Sequence, residues 1–250
     1  MKYLALFAVL ALAGCSAPAS VATEEPDTLS GIVTVFAAAS LTDTFADIAA
    51  AFTEQHPGVD IVFNFGGSSG LATQIVEGAP VDVFAAASGA TMEAVGELAV
   101  DPVPFATNTL EIATPADNPA GITGLADLTD PQLSIALCAV EVPCGAAAAT
   151  VFETAGLVAS VDTYEQDVKA VLTKVELGEV DAGLVYTTDV LAAGDAVKGI
   201  EFPEAGAAVG TYPIARLTAS TNPDAAAAFI AFVLSATGTR ILTDAGFGTP

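Results

Sequence analysis

Positive charge is scarce in this 250-residue sequence, where six lysines and arginines stand against 30 aspartates and glutamates, for a formal net charge of −24. Proteins that bind nucleic acids need basic side chains to displace counterions from phosphates, so the composition argues strongly against that class of function. Any anion site in this chain must therefore rely on neutral hydrogen-bond donors, because a cluster of lysine or arginine is not available.

Histidine and cysteine are also rare. His56 is the single histidine of the sequence, which leaves too few ligands for a typical zinc site. Cys138 and Cys144 lie six positions apart, and Cys15 is the third cysteine. In an exported protein, a disulfide between Cys138 and Cys144 is the natural interpretation, and a metal-binding pair is the alternative.

The N-terminus predicts export. Residues 1–14, MKYLALFAVLALAG, combine one early lysine with an apolar run that is too short for a standard membrane span. The run ends in LAGC, which resembles a lipobox, the motif in which the cysteine is acylated and becomes the new N-terminus. We therefore expect a lipid anchor on Cys15, a flexible tether over 15–30 and attachment to the outer face of the cell membrane. An ordinary cleaved signal, with Cys15 as a bystander, is the alternative.

Strand and helix patterns alternate along the rest of the chain, which predicts an α/β fold with mostly parallel sheets flanked by helices. In such sheets ligands bind beyond the carboxyl ends of the strands, a zone that includes Ser40, the loop at 66–70 and Tyr186. The patterns predict strands at 32–39, 59–65, 81–87, 110–114, 133–138, 182–186 and 211–218, and helices at 41–52, 71–78, 145–156, 167–178, 224–234 and 238–246.

The loop GGSSG, residues 66–70, has two incompatible interpretations. As G-x-S-x-G, it matches the turn that exposes a hydrolase nucleophile, which would be Ser68. That chemistry needs a histidine base, yet His56 is predicted to lie roughly 20 Å away, at the other end of the preceding strand. As glycines and hydroxyls that open a helix, the loop is typical of an anion cradle.

Ser40 and Ser68 each follow a predicted strand and open a predicted helix, so both could offer a hydroxyl and a backbone N–H to one ligand. The alternative for each serine is a role as a helix cap only. For Ser40, the acidic Asp43 three residues later resembles a capping box.

Longer stretches of the sequence resemble the periplasmic molybdate-binding proteins, the substrate-binding components of molybdate ABC importers. The resemblance covers residues 31–250, and it is carried by VFAAASLTDTFADIAAAF, FGGSSGLATQIVEGAPVDVFAAAS, VPCG, GLVYTTDV, YPIA and the closing GFG. It implies a two-lobed periplasmic-binding-protein fold of type II with the ligand in the cleft. The expected lobes are 31–112 plus 211–250, and 113–210.

The resemblance also implies a set of oxyanion ligands. Ser40, Ser68 and Tyr186 match residues that bind through hydroxyls, with Ser69 as the alternative to Ser68. Cys144 and Val168 match positions that bind through backbone N–H groups. Molybdenum would enter only as its oxyanion, without direct coordination of the metal and without a further cofactor.

The expected function is a high-affinity, monomeric receptor that binds molybdate and tungstate and delivers them to the membrane permease of an ABC importer, not an enzyme. Both ions are dianions without protons at neutral pH, which suits a site made only of donors. Monohydrogen phosphate would leave its proton without an acceptor, at a cost of about 1–3 kcal/mol. A receptor for another tetrahedral oxyanion such as sulfate is the alternative, and a serine hydrolase using Ser68 is the remote one.

Overall fold

The computed structural model describes residues 29–250. The predicted signal peptide, the lipidation of Cys15 and the tether up to residue 28 lie outside the described residues. The strands are β1 (Gly31–Ala38), β2 (Val59–Gly66), β3 (Val83–Ala85), β4 (Ala99–Asn108), β5 (Leu110–Pro115), β6 (Ile135–Cys138), β7 (Thr163–Glu165), β8 (Ala182–Tyr186), β9 (Val197–Ile200) and β10 (Gly210–Leu217). The helices are α1 (Thr42–Gln55), α2 (Ser68–Val76), α3 (Gly89–Val95), α4 (Pro143–Ala155), α5 (Val168–Glu176), α6 (Thr187–Ala193), α7 (Pro223–Val233) and α8 (Ala236–Asp244).

The strands form two five-stranded sheets. The first sheet has the order β2-β1-β3-β10-β4, and the second has the order β7-β6-β8-β5-β9. In the first sheet β1 pairs in parallel with β2 and β3, whereas β10 is antiparallel to β3 and β4. In the second sheet β6 is parallel to β7 and β8, whereas β5 is antiparallel to β8 and β9. The α/β class is confirmed, and so is the expectation of mostly parallel sheets. In each sheet of the described residues four strands run in one direction, and one strand, β10 in the first sheet and β5 in the second, runs against them.

The sheets are mixed because the chain passes between them twice. It leaves the first sheet after β4 and returns to it with β10, which runs against the other four strands of that sheet. The lobe boundary predicted at residue 112 differs from the sheet membership, because β5 begins at Leu110 and belongs to the second sheet.

Aromatic side chains pack the first sheet against its helices. Phe45 and Phe52 of α1 are fully buried, as their helical spacing predicted, and both meet the edge of Phe229 from α7, with ring centroids 6.2 and 5.4 Å apart. The second sheet has a separate aliphatic core that includes Ile135 of β6 and Val171 of α5. Each sheet therefore buries its own apolar surface.

The strand β4 shows where the sequence patterns failed, because they predicted no strand over 99–108. Pro102 and Pro104 interrupt its hydrophobic pattern, and proline cannot donate to a strand ladder. β4 accommodates both prolines at the edge of its sheet, next to irregularities in its register with β10.

Within residues 29–250, no single helix has the length and apolar character needed to cross a membrane. The helices α7 and α8 meet those criteria only as a pair, and they are bent by 58° where they join.

Candidate functional site

A small cavity lies between the two sheets, beyond the carboxyl ends of their parallel strands. Its volume is about 10 Å³, which is close to the room that one water-sized sphere requires. The cavity is lined by Ala38, Ala39, Ser40, Gly66, Gly67, Ser68, Ala87, Val142, Pro143, Cys144, Asp167, Val168 and Tyr186.

All five residues of the predicted site line this cavity, and the reason is topological. Ser40 and Ser68 follow β1 and β2 of the first sheet. Cys144, Val168 and Tyr186 follow or end β6, β7 and β8 of the second sheet. Since these strands form the parallel part of each sheet, their carboxyl ends converge on one region.

Ser40 and Ser68 do not act as helix caps. Ser40 lies in a short 3₁₀ turn, Ala39–Leu41, and α1 begins only at Thr42, so the capping-box prediction is wrong. Ser68 is the first residue of α2, and Gly67 takes the cap position. The Ser68 Oγ accepts a hydrogen bond of 3.0 Å from the Ala87 N–H. Its own proton is therefore available for an acceptor in the cavity.

Ser69, the alternative to Ser68, has a different environment. It lies outside the set of residues that line the cavity, and its hydroxyl donates to the backbone oxygen of Glu141. Ser69 belongs to α2 on the side of the first sheet, whereas Glu141 precedes α4 on the side of the second. The bond therefore connects the two sides of the cleft.

Helix N-termini supply the backbone donors from the second sheet. Cys144 is the second residue of α4, and Val168 is the first residue of α5. N–H groups in the first turn of a helix have no acceptor within that helix, and they lie at the positive end of its dipole. Both residues line the cavity and are buried, at 5% and 3% exposure, so water competes little for their N–H groups.

The loop before α4 is tightly constrained. Cys138 and Cys144 form a disulfide, as their spacing predicted. The next residue, Gly145, has no room for a side chain, since an added Cβ would lie within 1.9 Å of the Ala139 oxygen. The disulfide and this close approach hold the N-terminus of α4 in place relative to β6.

Tyr186, at the end of β8, is 2% exposed. Burial raises the pKa of Tyr186 above its ordinary value, and the nearby Asp189 carboxylate adds to the shift, while a hydrogen bond with the Tyr212 hydroxyl offsets part of it. Burial also raises the pKa of Tyr212, which is fully buried beside Ser40. Both phenols therefore keep their protons and remain hydrogen-bond donors at neutral pH.

No lysine or arginine occurs among the described residues that line the cavity. The one carboxylate there, Asp167, is occupied as the cap of α5, because its Oδ1 accepts a 2.9 Å bond from the Ala170 N–H. Apart from this carboxylate, the cavity is lined by neutral residues and by the N-terminal ends of helices.

The sequence patterns assigned no role to Asp189, a fully buried residue of α6. Its Oδ2 accepts a 3.1 Å bond from the Tyr186 N–H, and its Oδ1 lies 3.6 Å from the Lys169 Nζ, an ion-pair distance without a hydrogen bond. Burial raises the pKa of Asp189 to about 6, although the lysine charge opposes that shift. Lys169 also contacts Asp43 of α1 at 3.0 Å, so it joins elements of both sheets.

The structure offers little support for hydrolase chemistry. His56 ends α1, before β2, and its ring packs against Phe52 with centroids 4.5 Å apart. Ser68 follows the other end of β2, whose eight residues span roughly 25 Å. Within residues 29–250, no group of three or more histidine, cysteine or acidic side chains is placed to hold a metal ion.

Comparison with known proteins identifies the family. The profile of the family "Bacterial extracellular solute-binding protein" matches residues 33–248. The chain belongs to this family. It is 42% identical to the molybdate-binding protein ModA of Mycobacterium tuberculosis over 248 residues, which cover 98% of this chain and 95% of that protein.

Solved structures support the fold of this family. The periplasmic molybdate-binding protein of Azotobacter vinelandii aligns with a TM-score of 0.74 at 20% identity, covering 87% of this chain and 99% of that one. The sulfate-binding protein SubI of M. tuberculosis aligns with a TM-score of 0.72, also at 20% identity, over 86% of each chain. The fold is therefore common to receptors of different oxyanions, and the cargo must be argued from the site.

Proposed function

We propose that this protein is an extracytoplasmic receptor that binds molybdate in the cavity between the two sheets and delivers it to an ABC importer. One observation carries the proposal. Five residues from both sheets that can donate hydrogen bonds, Ser40, Ser68 and Tyr186 through hydroxyls and Cys144 and Val168 through N–H groups, line one small cavity that no lysine or arginine of the described residues lines. The 42% identity to a molybdate-binding protein over nearly the whole chain supports the same cargo.

The chemistry of the donors matches a fully deprotonated tetrahedral dianion. Hydroxyl and amide donors in a buried space stabilise negative charge, and helix ends add partial positive charge. Tungstate has the same charge and shape, so we propose that it binds as well. Monohydrogen phosphate carries a proton that this site would leave without an acceptor, at a cost of about 1–3 kcal/mol.

Release to the importer requires that the two sides of the cavity separate. We propose that each sheet and its helices form one lobe, and that the ligand stabilises the closed arrangement, which the membrane permease then recognises. The lipid anchor on Cys15 and the monomeric state belong to this proposal. Neither the anchor nor the tether needs to contact the ligand.

Sulfate is the second candidate, because it is also a dianion without a proton at neutral pH and because a sulfate receptor shares the fold. The two cargoes differ in size, so the selectivity depends on how far the five donors lie from a common centre. A serine hydrolase remains the alternative outside transport, and we propose that the protein is not an enzyme.

Calorimetric titration of the purified protein with molybdate, tungstate, sulfate and phosphate tests the proposal. We expect tight one-to-one binding of molybdate and tungstate, and little heat from sulfate and phosphate. Tight binding of sulfate with weak binding of molybdate would keep the receptor and change its cargo. No binding by any of the four would refute the receptor function.

Two neighbouring serines provide matched variants. Ser68→Ala removes a hydroxyl that lines the cavity, and a hydrogen bond to a charged group contributes about 1.5–3 kcal/mol, so molybdate affinity should fall about 10- to 100-fold. Ser69→Ala removes a hydroxyl outside the cavity and should cost less than tenfold. A larger loss for Ser69→Ala than for Ser68→Ala would show that Ser69 is the ligand. Ester hydrolysis that Ser68→Ala abolishes would support the enzyme instead.

A further inference from the structure

Tyr212 is buried beside the cavity without lining it. It lies on β10, in the middle of the antiparallel part of the first sheet, and its side chain is fully buried. Its ring meets Phe105, Tyr186 and Phe247 edge to face, with ring centroids 6.3, 6.0 and 5.5 Å apart. Three such contacts fix the plane of the ring, and with it the position of the hydroxyl.

The Tyr212 hydroxyl lies between two of the five donors of the site. Its oxygen is 3.0 Å from the Ser40 Oγ, and the Tyr212 ring packs against the ring of Tyr186 with centroids 6.0 Å apart. These contacts cross the cleft, because Ser40 and Tyr212 belong to the first sheet and Tyr186 to the second. A change at Tyr212 therefore reaches donors on both sides of the cavity.

The Tyr212 oxygen and the Ser40 Oγ are 3.0 Å apart, and either hydroxyl could be the donor. The Tyr212 hydroxyl has one proton to donate.

That proton has a defined acceptor once an anion is bound. A dianion in the cavity accepts hydrogen bonds from the hydroxyls of Ser40 and Tyr186, so that the oxygens of these hydroxyls remain available only as acceptors. Without a bound anion, the Ser40 proton could turn away from the cavity and bond to the Tyr212 oxygen instead. With the Tyr212 proton directed at the Ser40 Oγ, the Ser40 proton no longer bonds to Tyr212 and can be donated into the cavity.

We propose that Tyr212 is a positioning residue of the oxyanion site, because its hydroxyl donates to Ser40 and so holds the Ser40 proton toward the ligand. This inference rests on the proposed function. It adds a residue that contacts no ligand, and it predicts that the effects of Tyr212 and Ser40 on binding are coupled.

A double-mutant cycle measured by calorimetry with molybdate tests the coupling. Tyr212→Phe keeps the ring and removes only the hydroxyl, and we expect it to weaken binding about five- to tenfold. Ser40→Ala should weaken binding about 10- to 100-fold. In the Ser40→Ala background, Tyr212→Phe should change affinity less than twofold, because the hydroxyl it positions is gone. Tyr164→Phe, on the exposed ring of β7, is the matched control and should bind as the wild type does.

The outcomes distinguish a failure of this inference from a failure of the proposed function on which it rests. Failure of the wild type to bind molybdate would overturn both. Normal binding by the wild type with an unchanged affinity for Tyr212→Phe would overturn only the role of Tyr212. An equal loss from Tyr212→Phe with and without Ser40 would assign it a purely structural role, and would also overturn the inference.

A second measurement does not depend on the folding of Tyr212→Phe. With 3-fluorotyrosine at every tyrosine, the fluorine resonance of Tyr212 should shift when molybdate is added to the wild type. In Ser40→Ala that shift should be lost, while the resonance of Tyr186 still responds. If the Tyr212 resonance of the wild type does not shift when molybdate is added, the proposal is contradicted.

Discussion

Replacing Gly67 by alanine should hold the cleft open. Gly67 caps α2 on the side of the first sheet, with φ −61° and ψ 126°, a conformation that alanine adopts without strain. An added Cβ, however, would lie 2.1 Å from the backbone oxygen of Gln166 on the opposite side of the cavity. The substitution therefore acts only where the two sides meet.

The size of the effect follows from this distance. Because a Cβ needs at least 3.0 Å from such an atom, the opposite side must retreat by about 1 Å. The donors at Cys144, Val168 and Tyr186 move with it, and a hydrogen bond stretched by that amount is broken. Losing two bonds to a dianion costs at least about 3 kcal/mol, so molybdate affinity should fall a hundredfold or more.

Calorimetry and thermal melts of the same samples separate closure from folding. Gly67→Ala should lose the tight binding and the ligand-induced rise in melting temperature, while its melting temperature without ligand stays within 2 °C or so of the wild type. Gly70→Ala is the control on the same helix, where an added Cβ meets none of the described atoms within 4 Å. If Gly67→Ala binds molybdate within threefold of the wild type, the idea that the two sides close on the ligand is wrong.

Three further predictions concern the surroundings of the site. Serine at both Cys138 and Cys144 should lower the free energy of unfolding by about 2 kcal/mol, measured in denaturant, and an oxidised wild type no more stable than this variant would contradict it. Asp189, with its pKa raised from 3.8 to about 6, binds its proton more tightly in the folded state, so stability should fall by about 3 kcal/mol as the pH rises from about 4 to about 6 and then level off. Asp189→Asn should remove this fall, and an unchanged pH profile would refute it. Lys169→Gln, which breaks the 3.0 Å ion pair with Asp43 across the cleft, should weaken molybdate binding several-fold at low salt and less at high salt, and an effect independent of salt would refute that role.

The helices and parallel strands of the site could be predicted because their signals are local. The continuous apolar run of β1 and the helical spacing of Phe45, Ile48 and Phe52 in α1 depend only on nearby residues. The same holds for the strand-to-helix turns that carry Ser40 and Ser68. In a parallel arrangement such turns meet at one edge, so their convergence needs no knowledge of side-chain packing.

Other features depend on contacts between distant parts of the chain. The hydrogen bond between Ser40 and Tyr212 spans 172 positions and requires the register of β10 against its neighbours. The ion pair between Asp189 and Lys169 joins two different helices. The two prolines of β4 predict a loop from the sequence alone. Only the position of β4 at the edge of its sheet explains how a strand accommodates them. None of these has a local pattern from which it could have been inferred.

The shortage of basic residues also affects which anions the site can select. A lysine or arginine in the cavity would hold many anions, protonated or not, whereas fixed neutral donors favour an anion that presents only acceptors. Lys169, the residue after Val168, bonds to Asp43 and pairs with Asp189 instead. The strongly acidic chain can thus bind a dianion without a cation in direct contact.

Diffraction at the molybdenum absorption edge, from crystals grown with molybdate, tests the central claim most directly. We expect one anomalous peak in the cavity between the sheets, with its oxygens within hydrogen-bond distance of Ser40, Ser68, Tyr186 and the N–H groups of Cys144 and Val168. A peak outside the cavity, or molybdate held there by other groups, would contradict the account.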